Sequence, residues 1–344
     1  MNLLVRADAG AGIGAGHVMR CYALTQAWLA AGGTARFLMA SGAESFSALF
    51  AAEGLHGDSL QAERGTAEDV RLTVAYAKSM SAHWIVLDGY AFRPDFQRGI
   101  FASGIRMLVV DDNGECAPCR SHLVLNQNMH ASSDWYPAVG TIPRLLLGPR
   151  FALLRRQFRG RANREKPITS EAARILITMG GADPENLTGK AIEACAGLRI
   201  RGMEVIAVVG AMNSRLDSLK RQAAAVGVEV RHDVSGMAGL MEWADVALTA
   251  AGSTVWELLS MGVPSLATAA AENQRGIADR LEEIGAIVNL GWHAQVSTES
   301  ISAKTAELIA ATEKRRAMSV LGRDLVDGEG ADRVVQAMLS EGRS

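Results

Sequence analysis

Four glycines, Gly10, Gly12, Gly14 and Gly16, run directly into His17. They follow a short apolar stretch, Asn2 to Arg6, that reads as a strand, and they precede a helical pattern reaching about Ala31. Glycines at a strand-to-helix turn let the backbone approach a ligand and leave helix amides open to an anion. A histidine there sits at the positive end of the helix dipole, which favours the neutral ring, the form that can accept a proton. Lone histidines are more often structural, but this one lies at the strand edge where open α/β sheets place their ligands. The loop is not a dinucleotide fingerprint, because the third glycine would fall on Ala15, His17 or Met19. The second strand also runs into Ala40, Ser41 and Gly42 instead of an acidic ribose ligand, and no Gly-Lys-Ser/Thr follows to make a P-loop.

A second group lies in the other half of the chain. Ala250, Ala251, Gly252, Ser253 and Thr254 end a strand and open a helix that carries Glu257. Open amides and two hydroxyls suit a pyrophosphate, and a carboxylate one turn in suits ribose hydroxyls. The competing reading is a capping box, since Thr254 and Glu257 have the T-x-x-E spacing. The loop Gly180, Gly181, Ala182, Asp183 and the polar run Glu272, Asn273, Gln274 occupy equivalent strand-to-helix turns.

Two weaker constellations remain. Cys116 and Cys119 with His122 and His130 suggest zinc, but the histidines match no common finger pattern, so surface-loop residues are the preferred reading. Asp111 and Asp112 end a strand and could serve a metal enzyme, though such pairs are common without metal. No metal and no cofactor is expected.

Short β-rich runs alternate with helical patterns along the whole chain, the sign of βαβ units around mostly parallel sheets. In the first half, strands are read at Asn2 to Arg6, Thr34 to Ala40, Trp84 to Asp88, Arg106 to Asp111, His122 to Asn126 and Arg144 to Leu147. In the second they are read at Arg174 to Met179, Glu204 to Val209, Val228 to His232, Asp245 to Thr249 and Pro264 to Ala267, and a helix from Gly330 closes the chain. At 344 residues two domains are expected: 1–149, a basic linker 150–167, and 168–344. Ligands usually bind in the cleft such halves form.

A net charge of -2 and a pI near 6.4 provide no basic field for nucleic acid or an anionic membrane, so small-molecule partners are expected. Arg6 and Asp8 interrupt the first apolar run before a signal core or membrane span could form. Four cysteines without a secretion signal suggest free thiols in a cytoplasmic protein.

The run RADAGAGIGAGHVMR, Asp88 and Tyr90 in LDGY, the segment GPRFALLRRQF, the loop GGAD, AGSTVWELL and the pair Asn273 and Gln274 together carry a resemblance. In that order they resemble the UDP-2,4-diacetamido-2,4,6-trideoxy-β-L-altropyranose hydrolase family of pseudaminic acid biosynthesis. The resemblance covers almost the whole chain. Gly10, Gly89 and Ala182 depart from it, standing where that family commonly has serine, histidine, and serine or threonine.

The resemblance implies a GT-B fold, α/β with two Rossmann-like domains facing each other, and metal-free release of UDP from a sugar. It places His17 by the anomeric carbon, with Gly252, Ser253, Thr254, Glu257 and Asn273 around UDP. Asp8 and Tyr90 are then expected to orient His17, the water or the sugar, and Gly14, Gly16, Arg20, Gly180, Gly181 and Gln274 to touch substrate. The rival readings are a GT-B glycosyltransferase that passes the sugar to an acceptor and a non-catalytic nucleotide-sugar-binding protein.

Overall fold

The computed structural model describes every residue except 11–12, 138–141, 162–163, 200–201 and 342–344. Gly12 of the glycine-rich loop therefore lies outside the described residues. The chain divides into two units, Met1–Arg156 with Glu329–Ser344, and Gln157–Gly328.

In the first unit the elements are β1 (Asn2–Ala7), α1 (Gly16–Ala30), β2 (Thr34–Met39), α2 (Ser47–Ala51), β3 (His56–Ser59), α3 (Ala67–Ser79), β4 (Ala82–Asp88), α4 (Pro94–Phe101), β5 (Arg106–Val110), β6 (Leu123–Asn126) and β7 (Arg144–Leu147). They build a seven-stranded sheet in the order β3-β2-β1-β4-β5-β6-β7. Every pairing is parallel. Parallel sheets are covered on both faces, and β4, β5 and β6 accordingly carry buried apolar runs, Trp84 to Leu87, Met107 to Val110 and Leu123 to Leu125. The order reverses between β1 and β4, so a crevice opens where the C-terminal ends of these two strands diverge.

The second unit contains β8 (Arg174–Thr178), α5 (Leu187–Arg199), β9 (Glu204–Val209), α6 (Leu216–Val226), β10 (Glu229–His232), α7 (Met237–Trp243), β11 (Val246–Ala250), α8 (Ser253–Ser260), β12 (Ser265–Ala269), α9 (Arg275–Glu283), β13 (Val288–Trp292), α10 (Thr298–Ala310) and α11 (Thr312–Leu325). Its six parallel strands lie in the order β10-β9-β8-β11-β12-β13, with the reversal between β8 and β11. A core of Ile175, Ile177, Val205, Val246, Leu248 and Leu266 fills the sheet face under α5 and its neighbours.

The sequence reading has a linker at 150–167 and the last helix in the second domain; the chain passes between the units after Arg156 and crosses back after Gly328. The last helix, α12 (Gly330–Glu341), packs in the first unit. Arg333 donates to the Arg150 carbonyl at 2.9 Å. Gly330 makes the approach possible, since a Cβ there would lie 2.3 Å from the Ala152 carbonyl oxygen.

The strands read from the sequence are present, with ends shifted by at most two residues. Two strands escape the pattern. β3 is the polar, half-exposed run HGDS on a sheet edge, and β13, VNLGW, is broken by Asn289 and Gly291.

Among the described residues, no helix is long and apolar enough to cross a membrane.

Candidate active site

The first unit's crevice brings His17 and Asp88 together from 71 residues apart in sequence. His17 is the second residue of α1, just beyond β1, and Asp88 is the last residue of β4. Nδ1 of His17 lies 2.6 Å from Oδ1 of Asp88. Arg20, one turn further along α1, grips Asp88 through Nε to Oδ2 and Nη2 to Oδ1, both at 2.7 Å. Its other face donates to Asp112, at 2.7 Å from Nη1 and 3.1 Å from Nη2. The Cys21 thiol adds a 3.3 Å contact to Asp88. Arg20 is thus a buried fork between two carboxylates.

Arg20 Nη2 also comes within 3.2 Å of His17 Nδ1. One ring nitrogen cannot both donate to Asp88 and accept from Arg20. The shorter, charge-assisted contact to the carboxylate puts the proton on Nδ1 and leaves Nε2 as the basic nitrogen.

Burial alone would raise the Asp88 carboxyl, but Arg20 and then His17 outweigh it and hold it well below the usual range. Asp112 behaves alike: burial opposes its charge, and Arg20 overcomes that. Arg20 in turn is held above its ordinary value, because Asp112 and Asp88 more than offset its desolvation. The cluster therefore carries two fixed carboxylates and one fixed guanidinium across the working pH range.

Tyr90 completes the group. Its hydroxyl donates to Asp112 at 3.0 Å, and its ring stands edge-on to His17 with centroids 5.0 Å apart. Burial, followed by the charge of Asp112, pushes its phenol above the ordinary range, so it stays a neutral donor. His17, Tyr90, Phe92, Arg93, Asp112 and Cys116 line one recess. Gly89, between Asp88 and Tyr90, has φ of 155°, a conformation side-chain-bearing residues rarely adopt, which fits glycine at this departure from the resembled pattern.

Asp8 lies elsewhere. Its carboxylate accepts from the backbone amides of Ala40 at 2.6 Å and Ser41 at 3.1 Å, and from Arg6 at 2.8 Å. It fastens the end of β2 beside β1, and the partner of His17 is Asp88. Gly10 and Gly14 bridge one another, with Gly14 N donating to Gly10 O at 2.7 Å and Gly14 at φ of 78°. Gly16 opens α1 without a side-chain cap, so the amides at this helix start receive no side-chain oxygen.

Asp111 and Asp112 do not converge as a metal pair. Asp111 accepts from Gly114 N at 2.6 Å and from the Tyr136 hydroxyl at 2.7 Å, while Asp112 turns to Arg20, Tyr90 and Asn128. Among the described residues no group of three or more His, Cys, Asp or Glu side chains is arranged to hold a metal ion. The zinc constellation is also dispersed. Cys116 and Cys119 are joined by a disulfide, which their Cα separation of 5.2 Å allows, so these two are neither free thiols nor surface residues. His122 Nδ1 accepts from the Met107 amide, and His130 packs against Trp135. Cys21 and Cys195 remain free thiols, both buried.

In the second unit the β8 and β11 loops flank that sheet's reversal point. Gly252 is the N-cap of α8 and makes no side-chain cap bond, which places Thr254 inside the helix and removes the capping-box reading of Thr254 and Glu257. The side chain of Gln274 accepts from Ala270 N at 2.9 Å, and its amide nitrogen would lie 3.3 Å from a Cβ on Gly252. Gln274 thus packs against the α8 loop, with Asn273 beside it in the same turn. Gly180 has φ of 86°, and Asp183 caps α5 by accepting from Leu187 N at 2.8 Å and Thr188 N at 2.9 Å.

No family model matches the chain. Over 193 residues it is 28% identical to the spore coat polysaccharide biosynthesis protein SpsG of Bacillus subtilis (strain 168), covering 56% of this chain and 57% of that protein. It is 24% identical over 212 residues to the uncharacterized protein MJ1062 of Methanocaldococcus jannaschii, covering 59% of this chain and 43% of that one. The chain spans about half the length of the curated relatives it matches. Among solved structures it is similar to Acinetobacter baumannii MurG, with a TM-score of 0.65 at 17% identity over 98% of this chain and 99% of that one. Spinosyn rhamnosyltransferase SpnG, complexed with thymidine diphosphate, gives a TM-score of 0.65 at 15% identity over 98% and 99% of the two chains. Anabaena Alr3699/HepE, in complex with UDP and glucose, gives 0.64 at 14% identity over the same shares.

The fold is GT-B. The chain's two parallel sheets with flanking helices match these neighbours in fold.

Proposed function

We propose that this GT-B chain is an enzyme of glycan biosynthesis that breaks the anomeric C–O bond of a nucleoside-diphosphate sugar. The observation that carries the reading is the Nδ1 contact of His17 with Asp88, which fixes the tautomer and leaves Nε2 to take a proton from an attacking oxygen. Arg20 acts as a positioning residue, since its donors are spent on Asp88 and Asp112. Tyr90 presents a neutral hydroxyl and an aromatic edge beside the base. In the second unit the open amides of α8, with Ser253, Thr254 and Glu257, suit the diphosphate and ribose. The neighbours solved with thymidine diphosphate or with UDP and glucose support such a ligand.

The nucleophile is read first as a hydroxyl of an acceptor. The spinosyn rhamnosyltransferase among the neighbours and the polysaccharide-biosynthesis relative both favour glycosyl transfer. Water is the second reading, favoured by the glycine-rich His17 segment and LDGY, which resemble the UDP-sugar hydrolases of pseudaminic acid biosynthesis. In either case UDP leaves with the C–O electron pair on its terminal phosphate, which becomes a dianion, and no strong general acid is needed.

Incubating the purified protein with UDP-sugars, with and without sugar acceptors, tests the proposal. Release of UDP only with an acceptor supports transfer, and UDP with reducing sugar in its absence supports hydrolysis. No cleavage of any nucleotide sugar under either condition overturns the proposal. Glu257→Ala should weaken UDP binding by about 1 to 3 kcal/mol, the usual cost of losing a charged hydrogen-bond partner.

A further inference from the structure

The loop from Asp111 to Cys119 is tied to the His17 recess at several points, and its closing bond is a disulfide. Cys116 lines the recess together with His17, Tyr90 and Asp112. Both cysteines are buried, at 4% and 2% exposure, and Cys116 is the one of the pair that lines the recess. Between the two ends, Asp111 accepts from the amides of Gly114 at 2.6 Å and Cys116 at 3.3 Å. Gly114 has φ of 77° and lies under Trp135, with only 3.0 Å from a would-be Cβ to the Trp135 Cβ. Glu115 pairs with Arg93 at 3.6 Å, and both residues line the same recess. One wall of the recess thus depends on how this loop is closed.

We propose that Cys116 and Cys119 form a reversible thiol–disulfide site that sets the shape of the His17 recess, with a dithiol reductant as its reactant. A thiolate of the dithiol attacks Sγ of Cys116, the S–S bond breaks, and its electron pair leaves on Cys119, which takes up a proton. The second thiol of the reductant then attacks the mixed disulfide and releases Cys116 as a thiol. The net change is protein disulfide plus dithiol giving protein dithiol plus cyclic disulfide. Reduction removes the cross-link that holds Cys116 in the wall and loosens the amides of Gly114 and Cys116 from Asp111. The His17–Asp88–Arg20–Asp112 network shares no bond with the disulfide, so opening the loop alters binding in the recess more than the base itself. The activity consequence rests on the proposed function, whereas the thiol chemistry and the loop motion do not.

The test compares protein purified without reductant before and after millimolar dithiothreitol under native conditions. Alkylation and peptide mass spectrometry should show Cys116 and Cys119 blocked before reduction and both modified after it, with Cys21 and Cys195 protected throughout. Hydrogen exchange at the amides of Gly114 and Cys116 should accelerate by about tenfold or more, as expected when local opening becomes cheaper. With a turned-over nucleotide sugar, KM should rise severalfold while kcat moves little. A Cys116→Ser/Cys119→Ser variant should match the reduced form and ignore dithiothreitol. The proposal is overturned if the pair is free thiol in protein purified without reductant, if it resists native reduction, or if reduction leaves loop exchange unchanged. Loss of the KM effect with a faster loop overturns the link to the recess. If no nucleotide sugar is cleaved, the wild-type alkylation and exchange results still decide.

Discussion

His17 and Asp88 meet through a 2.6 Å contact between Nδ1 and a carboxylate that is fully buried and clamped by Arg20. This orients the ring and, by the logic of a carboxylate-oriented histidine, makes Nε2 the nitrogen for the proposed base. Asp88→Ala should therefore cost about 10² to 10⁴ in turnover, comparable to losing the base. It also strips Arg20 of one of two buried partners, a break of about 3 to 5 kcal/mol. Asp88→Asn keeps the volume and an acceptor oxygen and should fold better while still losing most activity. Wild-type turnover in a folded Asp88→Asn protein would show that the contact serves stability alone.

The architecture and the place of His17 beside β1 were legible because they rest on local patterns. Apolar strand runs alternate with helical ones, and His17 closes a glycine loop at a strand edge. The partner was harder to see. Asp88 and Asp8 both follow apolar strands, and only the sheet order, with β1 beside β4, decides which carboxylate reaches His17. β3 and β13 gave no signal because HGDS has no apolar face and VNLGW is interrupted. The cysteine pair was visible as spacing, but its burial depends on packing in the loop after β5.

Gly210, which no motif marked, sits against the GGAD loop. A Cβ there would lie 2.4 Å from Gly181 O and 2.5 Å from Gly181 Cα, backbone that cannot swing aside like a side-chain tip. Gly210→Ala should cost about 1 to 3 kcal/mol as an overpacking change. It should also displace Gly180 and Gly181 and weaken nucleotide binding in the second unit. Thermal unfolding and calorimetry with UDP check both effects, and a variant unchanged in each would place that loop away from the nucleotide.

Acid should act on the first unit through Asp88 and Asp112, whose folded-state pKa values lie below the unfolded value of about 3.9. The unfolded chain then takes up protons first, so their contribution is present above about pH 4 and is lost as pH falls through the depressed values. Asp111 works the other way: burial raises its pKa, so it favours the fold at low pH and loses that contribution as pH rises through its folded value. Urea unfolding across this range should show stability falling below about pH 4, and more shallowly in Asp112→Asn. A profile that is the same in wild type and variant would contradict the assignment of Asp112 as a depressed, ion-paired carboxylate.

The last prediction isolates His17 itself, because a base acting in the transition state contributes about 10² to 10⁴ in rate and less to ground-state binding. His17→Ala should lose most turnover and keep its affinity for UDP, whose proposed contacts lie on α8. His17→Asn is closer in size, but an amide cannot accept the proton of the nucleophile, so it should fail almost as badly. A binding protein would be indifferent to both changes. The position of attack is read separately, in water enriched with heavy oxygen and under conditions where sugar is released. Attack at the anomeric carbon puts the label on the sugar and none on UDP, while glycosyl transfer leaves both products unlabelled. Label in UDP would mean attack at phosphorus, and His17 would then not be the base for an oxygen approaching the sugar.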